Sequence, residues 1–116
     1  MPGVAFAGSA TWKASPLTGN WNAAGNWTTG GPPNGPSDVA TFATSNKTTV
    51  LLSADIEVSG ITFNSSGSIF NITTSSPVLT ISGSGITNNS TKTQLFFASP
   101  NASNGTQLCR RQFHWF

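Results

Sequence analysis

The stretch Ser53–Ser65 reads SADIEVSGITFNS, and the later stretch Val78–Ser90 reads VLTISGSGITNNS. A 25-residue shift aligns the two, and seven of the thirteen aligned positions are identical. The chain is rich in Ser, Thr, Gly and Asn, so the stronger signal is that the apolar positions stay in phase. Self-similarity at a fixed period of roughly 20–50 residues is typical of repeat architectures. This pair therefore predicts a fold built from stacked repeats.

The pattern inside one repeat predicts short strands that meet at corners. Ile56 and Val58 alternate with polar neighbours, as in a strand with one buried face. Ile61 and Phe63 also alternate, but their parity is shifted by one across Gly60, which indicates a corner. With a further inward pair after the next turn, one repeat holds about three short strands, which is one coil of a parallel β-helix.

Stacked coils predict a continuous inner ladder and a defined core. The pairs expected from the 25-residue phase are Ile56 over Ile81, Ile61 over Ile86, Asn64 over Asn89, Phe70 over Leu95 and Ile72 over Phe97. The residues expected to point inward are Ile56, Ile61, Phe63, Phe70, Ile72, Leu79, Ile81 and Ile86. The predicted fold is thus all-β, a short right-handed parallel β-helix, or solenoid, with a Trp-rich N-terminal cap. The alternative is a small β-sandwich, which short strands separated by turn signals also permit.

Composition argues against several functional classes. Charged residues make up 7% of the chain, and the net charge of +2 comes from the Arg110–Arg111 pair. Nucleic-acid binding needs a cluster of Lys and Arg, so no such partner is predicted. Cys109 is the only cysteine and His114 the only histidine, so we expect no disulfide within the chain, no metal site and no cofactor. No apolar run approaches the roughly 20 residues of a membrane span.

Four segments are predicted along the chain. Residues 1–7 are interpreted as a signal-peptide remnant because Ala5-Phe6-Ala7 fits a signal-peptidase site. Residues 8–47, rich in Trp, Gly and Asn, form the cap, and residues 48–99 form about two 25-residue coils. Residues 100–116 differ in composition from the rest and are interpreted as an atypical tail, for which a read-through or frame-shifted end is one explanation.

Several motifs together resemble one known family. The stretches are Gly8-Ser9-Ala10-Thr11-Trp12, Gly19-Asn20-Trp21-Asn22, Gly25-Asn26-Trp27, Pro33-Asn34-Gly35-Pro36-Ser37-Asp38 with Ala40-Thr41-Phe42, Gly60-Ile61-Thr62-Phe63-Asn64, Leu79-Thr80-Ile81-Ser82-Gly83 and Gly85-Ile86-Thr87-Asn88-Asn89-Ser90. They resemble bacterial autotransporter-associated β-strand repeat proteins over about residues 5–99. The resemblance implies a secreted or cell-surface β-helical passenger, of which this chain would be an N-terminal fragment. It implies no catalytic residue, because the family has no shared activity.

The acidic residues do not form a convincing catalytic pair. Asp55 and Glu57 are two apart in a predicted strand, so they share its outward face, and no basic residue is close in sequence. Outward charges of this kind also discourage aggregation at strand edges. We therefore expect no enzymatic activity.

The tryptophans allow two interpretations. Trp12, Trp21 and Trp27 could cover the first coil, because the end of a solenoid exposes core and strand edges. Alternatively, they could form an aromatic platform for sugar rings. The first interpretation predicts an extracellular structural scaffold or an adhesin-like passenger, and the second predicts a carbohydrate-binding module with surface glycans as partners.

The last predicted coil suggests a self-association edge. Leu95, Phe96 and Phe97 would lie on an open apolar edge, where a second copy could stack end to end. The alternative is that the tail covers this edge with Phe113, Trp115 and Phe116.

Overall fold

The computed structural model describes residues 8–29, 31–74 and 77–97, and within these ranges the chain is almost entirely strand and loop. This confirms the all-β prediction. The segments predicted for residues 1–7 and 100–116 lie outside the described residues. The elements are β1 (Ala10–Thr11), a 3₁₀ turn (Ala24–Asn26), β2 (Gly35–Phe42), β3 (Thr49–Leu51), β4 (Ile56–Phe63), β5 (Asn71–Thr73), β6 (Leu79–Asn88) and β7 (Leu95–Phe97).

The strands form two small parallel sheets. One has four strands in the order β1-β2-β4-β6, and the other has three in the order β3-β5-β7. Every pairing between these strands is parallel. From β2 onward, each successive strand joins the opposite sheet from the strand before it.

The 25-residue phase is confirmed at the centre of the repeat. Ile61 lies level with Ile86, and Thr62 lies level with Thr87. The preceding glycines, Gly60 and Gly85, are also paired. The two stretches that predicted the repeat are therefore neighbours in the four-stranded sheet.

Upstream of these glycines, the predicted register is wrong by two positions. Ile56 pairs with Leu79 instead of Ile81, and Ile81 lies beside Val58. One residue of β4 opposes three residues of β6 between this pair and the glycine pair, so β6 bulges there. Gly85 closes the bulge with a φ of +88°, a backbone conformation that glycine adopts without the steric penalty of a side chain.

In the three-stranded sheet the register differs from prediction by one position. Ile72 lies level with Phe96, whereas Phe97 was expected there. Phe96 consequently points inward and is 9% exposed, while Leu95 and Phe97 are 36% and 49% exposed. The three residues therefore alternate between core and surface, and do not form the single apolar edge that was predicted.

A buried glutamine accounts for this shift. Gln94 occupies the interior position level with Phe70, where Leu95 was expected. Its Oε1 atom accepts a hydrogen bond from the Phe70 amide at 2.7 Å, and its Nε2 atom donates to Ser68 O at 3.0 Å and to Ser90 Oγ at 3.1 Å. Because its amide is satisfied, a polar side chain can lie inside where the pattern predicted an apolar one.

The core lies between the two sheets and agrees with the predicted set. Five of the eight predicted residues are fully buried, and three are half-buried against the cluster. The fully buried residues are Ile56, Ile61, Phe63, Phe70 and Ile72, and the half-buried ones are Leu79, Ile81 and Ile86. Phe42 joins this set to the N-terminal part of the core, with its ring centroid 5.5 Å from that of Phe63 and 4.9 Å from that of Phe70.

Candidate functional site

The three predicted cap tryptophans lie together and are buried. Trp12 is 1% exposed, and Trp21 and Trp27 are 0% exposed. Each indole Nε1 donates to a backbone carbonyl: Trp12 to Lys47 O at 2.9 Å, Trp21 to Pro33 O at 3.0 Å and Trp27 to Trp21 O at 2.7 Å. Their polar atoms are thus satisfied inside the protein, as expected of buried indoles.

The indoles pack on the N-terminal end of the core. Trp12 and Trp27 meet edge to face at 5.1 Å, and Trp21 and Trp27 lie 5.7 and 5.6 Å from Phe42. We call Trp12, Trp21, Trp27 and Phe42 the indole cluster. Sugar stacking requires an exposed ring face, and these rings are buried. The expectation of an open aromatic platform is therefore corrected by the structure.

Backbone hydrogen bonds join the same segment to the first strand of each sheet. Thr28 N donates to Thr11 O at 2.9 Å, and Thr11 N donates to Thr28 Oγ1 at 3.1 Å, which pairs the free edge of β1. Trp21 N donates to Leu51 O at 2.7 Å, and Leu51 N donates to Gly19 O at 2.8 Å, which pairs the free edge of β3. Residues 12–29 thus cover the starting edges of both sheets, and we call them the N-terminal cover.

One buried amide holds the N-terminal cover in shape. Asn26 is 0% exposed, and its Oδ1 accepts from Leu17 N at 2.9 Å and Thr18 N at 3.1 Å. Its Nδ2 donates to Thr18 Oγ1 and Asn20 O, both at 2.9 Å. The sequence analysis named this residue only as part of the Gly25-Asn26-Trp27 motif. Its sole sequence signal is a position just before Trp27 in a Gly/Asn-rich turn.

Two of the three acidic side chains, those of Asp38 and Asp55, accept backbone hydrogen bonds. Asp55 Oδ1 accepts from Val78 N at 2.8 Å, and Asp38 Oδ2 accepts from Asn34 N at 3.2 Å. Glu57 N donates to Asn34 Oδ1 at 3.0 Å, so Asn34 joins two of the acidic positions. Within the described ranges, no group of three or more His, Cys, Asp or Glu residues could hold a metal ion.

A row of threonines on the four-stranded sheet was missed from the sequence. Thr11, Thr41, Thr62 and Thr87 lie level with one another across β1, β2, β4 and β6. Their neighbours in each strand are buried or half-buried, so the threonines point outward. Adjacent strands lie about 4.7–4.9 Å apart, so the row offers hydroxyl and methyl groups at that repeat.

The outer face of the three-stranded sheet is partly apolar. Leu51, Thr73 and Phe97 lie in one line across β3, β5 and β7, and Leu51 and Phe97 are each 49% exposed. Leu95 lies two positions before Phe97 on the same face. Of the three residues predicted as a self-association edge, two therefore belong to this face and Phe96 belongs to the core.

Comparison with known proteins identifies no relative. No family model, curated protein or solved structure matches the chain significantly. The fold places it in the class of mainly β proteins with small parallel sheets. Among the described residues, no helix is long and apolar enough to cross a membrane.

Proposed function

We propose that the chain is part of an extracellular structural scaffold, an adhesin-like passenger without catalytic activity. In this proposal the two sheets are faces of a short right-handed parallel β-helix, and the N-terminal cover is its cap. The observation that carries the proposal is the alternation of successive strands between two sheets, with every pairing parallel. A solenoid has this arrangement because each coil contributes one strand to each face.

The spacing of paired residues supports the β-helix. Ala40, Ile61 and Ile86 lie level in three neighbouring strands. The sequence interval from each of them to the next falls within the roughly 20–45 residues typical of solenoid repeats. The sandwich alternative is less favoured because β-sandwiches of the immunoglobulin type are built from antiparallel sheets.

The chemistry of the described surface supports a scaffold more than a catalyst or a lectin. The carboxylates of Asp38 and Asp55 accept backbone hydrogen bonds, and the three tryptophans of the N-terminal cover are buried. Placement outside the cell is supported by the Ala5-Phe6-Ala7 pattern and by the resemblance to autotransporter-associated repeat proteins.

Activity and sugar-binding assays on the purified chain test this proposal. We expect no release of reducing ends or unsaturated sugars from a panel of neutral and acidic polysaccharides. On a glycan array, we expect no binding above that of an Ile61→Asp variant, which serves as the unfolded control. Turnover that disappears in Asp55→Asn or Glu57→Gln, or saturable binding to one sugar class, would contradict the scaffold function.

The adhesin-like part needs a separate measurement. The chain would be displayed on bacterial cells behind a standard export signal and membrane anchor. Cells with the wild-type chain should adhere to surfaces or to one another more than cells with Ile61→Asp at equal display level. Equal adhesion by cells with the two variants would contradict the adhesin-like part of the proposal and leave only the scaffold function.

A further inference from the structure

An asparagine–glycine pair lies at the start of β2. Asn34 precedes this strand and Gly35 is its first residue. Asparagine is among the least durable residues in warm water, and a following glycine increases the risk because no side chain hinders the approach of its backbone nitrogen to the asparagine amide. Asn34 is exposed, so water reaches this amide. The pair can therefore change covalently without an enzyme.

The fold polarises the amide that would react. Asn34 Oδ1 accepts a hydrogen bond from Glu57 N at 3.0 Å. When a backbone nitrogen attacks the side-chain carbonyl carbon, negative charge develops on this oxygen. A fixed N–H donor directed at an oxygen that gains charge lowers the barrier to such a reaction. The strand β4 thus supplies one donor to the reaction centre.

The backbone around Gly35 is only loosely paired. Gly35 lies level with Val58 and Val39 lies level with Gly60, so β2 advances four positions while β4 advances two. The regular ladder is interrupted between these pairs. Pro36 follows Gly35 and has no backbone N–H to donate to the sheet. An interrupted ladder allows the local backbone rotation that brings Gly35 N to the Asn34 side chain.

We propose that Asn34 is a site of spontaneous conversion to aspartate and isoaspartate. Gly35 N gives its proton to hydroxide and attacks Asn34 Cγ. The Cγ–Nδ2 bond breaks, and Nδ2 takes a proton from water and leaves as ammonia. Water then opens the cyclic imide. Opening at Cγ leaves aspartate, and opening at the main-chain carbonyl carbon leaves isoaspartate, in which the backbone runs through the former side chain.

The products would weaken the contact between β2 and the N-terminal cover. Asn34 follows Pro33, whose carbonyl accepts from Trp21 Nε1 at 3.0 Å, and Asn34 N donates to Asp38 Oδ2 at 3.2 Å. Either product adds a negative charge near the Asp38 carboxylate, which repels it. Isoaspartate also adds one carbon to the backbone next to Pro33. The inference is independent of the scaffold function, because it rests on local geometry and chemistry.

Peptide mapping of the aged full chain tests the proposal. After incubation in warm, mildly alkaline buffer, mass spectrometry and enzymatic methylation of isoaspartate report conversion at each asparagine. We expect Asn34 to convert many-fold faster than Asn46 and Asn89, which are exposed but precede Lys47 and Ser90. The map also resolves Asn34 from the second pair, at residues 104–105. Conversion of Asn34 no faster than that of Asn46 and Asn89 would overturn the proposal.

An alanine variant tests the role of the glycine. The added methyl group of Gly35→Ala would lie 3.1 Å from Asp38 Oδ2, the end of a flexible side chain, so the fold can accept it with a small shift. We expect conversion of Asn34 to slow many-fold while the circular dichroism spectrum stays the same. Gly25→Ala is the matched control and should leave the rate unchanged. An unchanged rate in Gly35→Ala, or equal slowing in both variants, would overturn the proposal.

The effect of the products is tested with Asn34→Asp, which reproduces one of them. We expect a lower urea midpoint than that of wild type at neutral pH, because the new carboxylate lies near Asp38. An equal midpoint would contradict the expected weakening of the N-terminal cover.

A comparison of the folded and unfolded chain separates this site from ordinary asparagine chemistry. The wild-type chain is aged in the same buffer with and without concentrated urea. We expect the folded chain to convert Asn34 within a few-fold of the unfolded rate, because the amide is polarised and the ladder is interrupted. A folded-state rate many-fold below the unfolded rate would show that the native structure protects Asn34, and would overturn the proposal.

Discussion

Ile61 and Ile86 stand at the same point of the repeat, yet they differ in burial. Both are isoleucines before a threonine, and they lie level in neighbouring strands. Ile61 is 0% exposed, whereas Ile86 is half-buried. Strand sequence sets which way each side chain points. Burial depends on whether another strand follows in the sheet, and β6 is the last described strand of the four-stranded sheet.

The largest expected effect is at the buried member of this pair. Replacing Ile61 by Asp places an unpaired charge in the core, which costs far more than folding can offset. We expect the variant to lose its β-rich circular dichroism spectrum. Thr62→Asp is the matched control, because its side chain points outward from the same strand. A folded Ile61→Asp variant with wild-type stability would contradict the assigned core.

Removing an indole from the N-terminal cover should have the next largest effect. We expect Trp21→Ala to lower the free energy of unfolding by about 3–5 kcal/mol, because a fully buried aromatic side chain is lost and a cavity remains. Urea titration followed by circular dichroism measures this. The control is Leu17→Ala in the same segment, where the side chain is 79% exposed and little change is expected. Equal effects of the two variants would mean that the indole cluster does not hold this end together.

Alanine at the two matched isoleucines gives a smaller, graded test. Ile61→Ala should cost about 2–5 kcal/mol, the usual range for a fully buried isoleucine. Ile86→Ala should cost clearly less, since that side chain is only half-buried. The difference in urea midpoint between the two variants reports the difference between an inner strand and an end strand. A larger loss for Ile86→Ala would invert the comparison.

The buried amide of the N-terminal cover should have the smallest of these effects. Asn26→Ala leaves Leu17 N and Thr18 N without their side-chain acceptor, and we expect a loss of about 1–3 kcal/mol. Asn46→Ala is the control, because its exposed amide makes one bond of 3.3 Å to Ser15 Oγ. Thermal melts of both variants decide the point. An equal shift would show that the Asn26 bonds add nothing specific.

The sequence supports prediction of the strand content, the inward residues and the central register. Ile61 over Ile86 was visible because the two stretches carry the same residues around a shared glycine. The bulge before Gly85 was not visible, because an alignment without gaps cannot show extra residues in one strand. Inward-pointing Gln94 was also missed, since a hydropathy pattern assigns a glutamine to the surface unless its partners are known.

Of the candidate sites, the tryptophans were identified as a group, but sequence alone left their exposure open. An indole can be buried when its Nε1 atom finds an acceptor inside the protein, and that acceptor can be distant in sequence, as Lys47 O is for Trp12. The threonine row was missed because its members are unevenly spaced in sequence, and a search at one fixed period finds only the step from Thr62 to Thr87. Because the loops between the strands differ in length, the threonines are unevenly spaced in sequence although the parallel pairing places them side by side.

The most direct test of the account is the backbone pairing of the repeat in solution. Nuclear Overhauser effects measured on the isotope-labelled full chain should connect Gly60 with Gly85 and Thr62 with Thr87 in the pattern of parallel strands. They should also connect Ile72 with Phe96, as the register of the second sheet requires. Strong contacts between α protons of facing residues, which are typical of antiparallel strands, or contacts in another register, would contradict two parallel sheets built on a shared repeat.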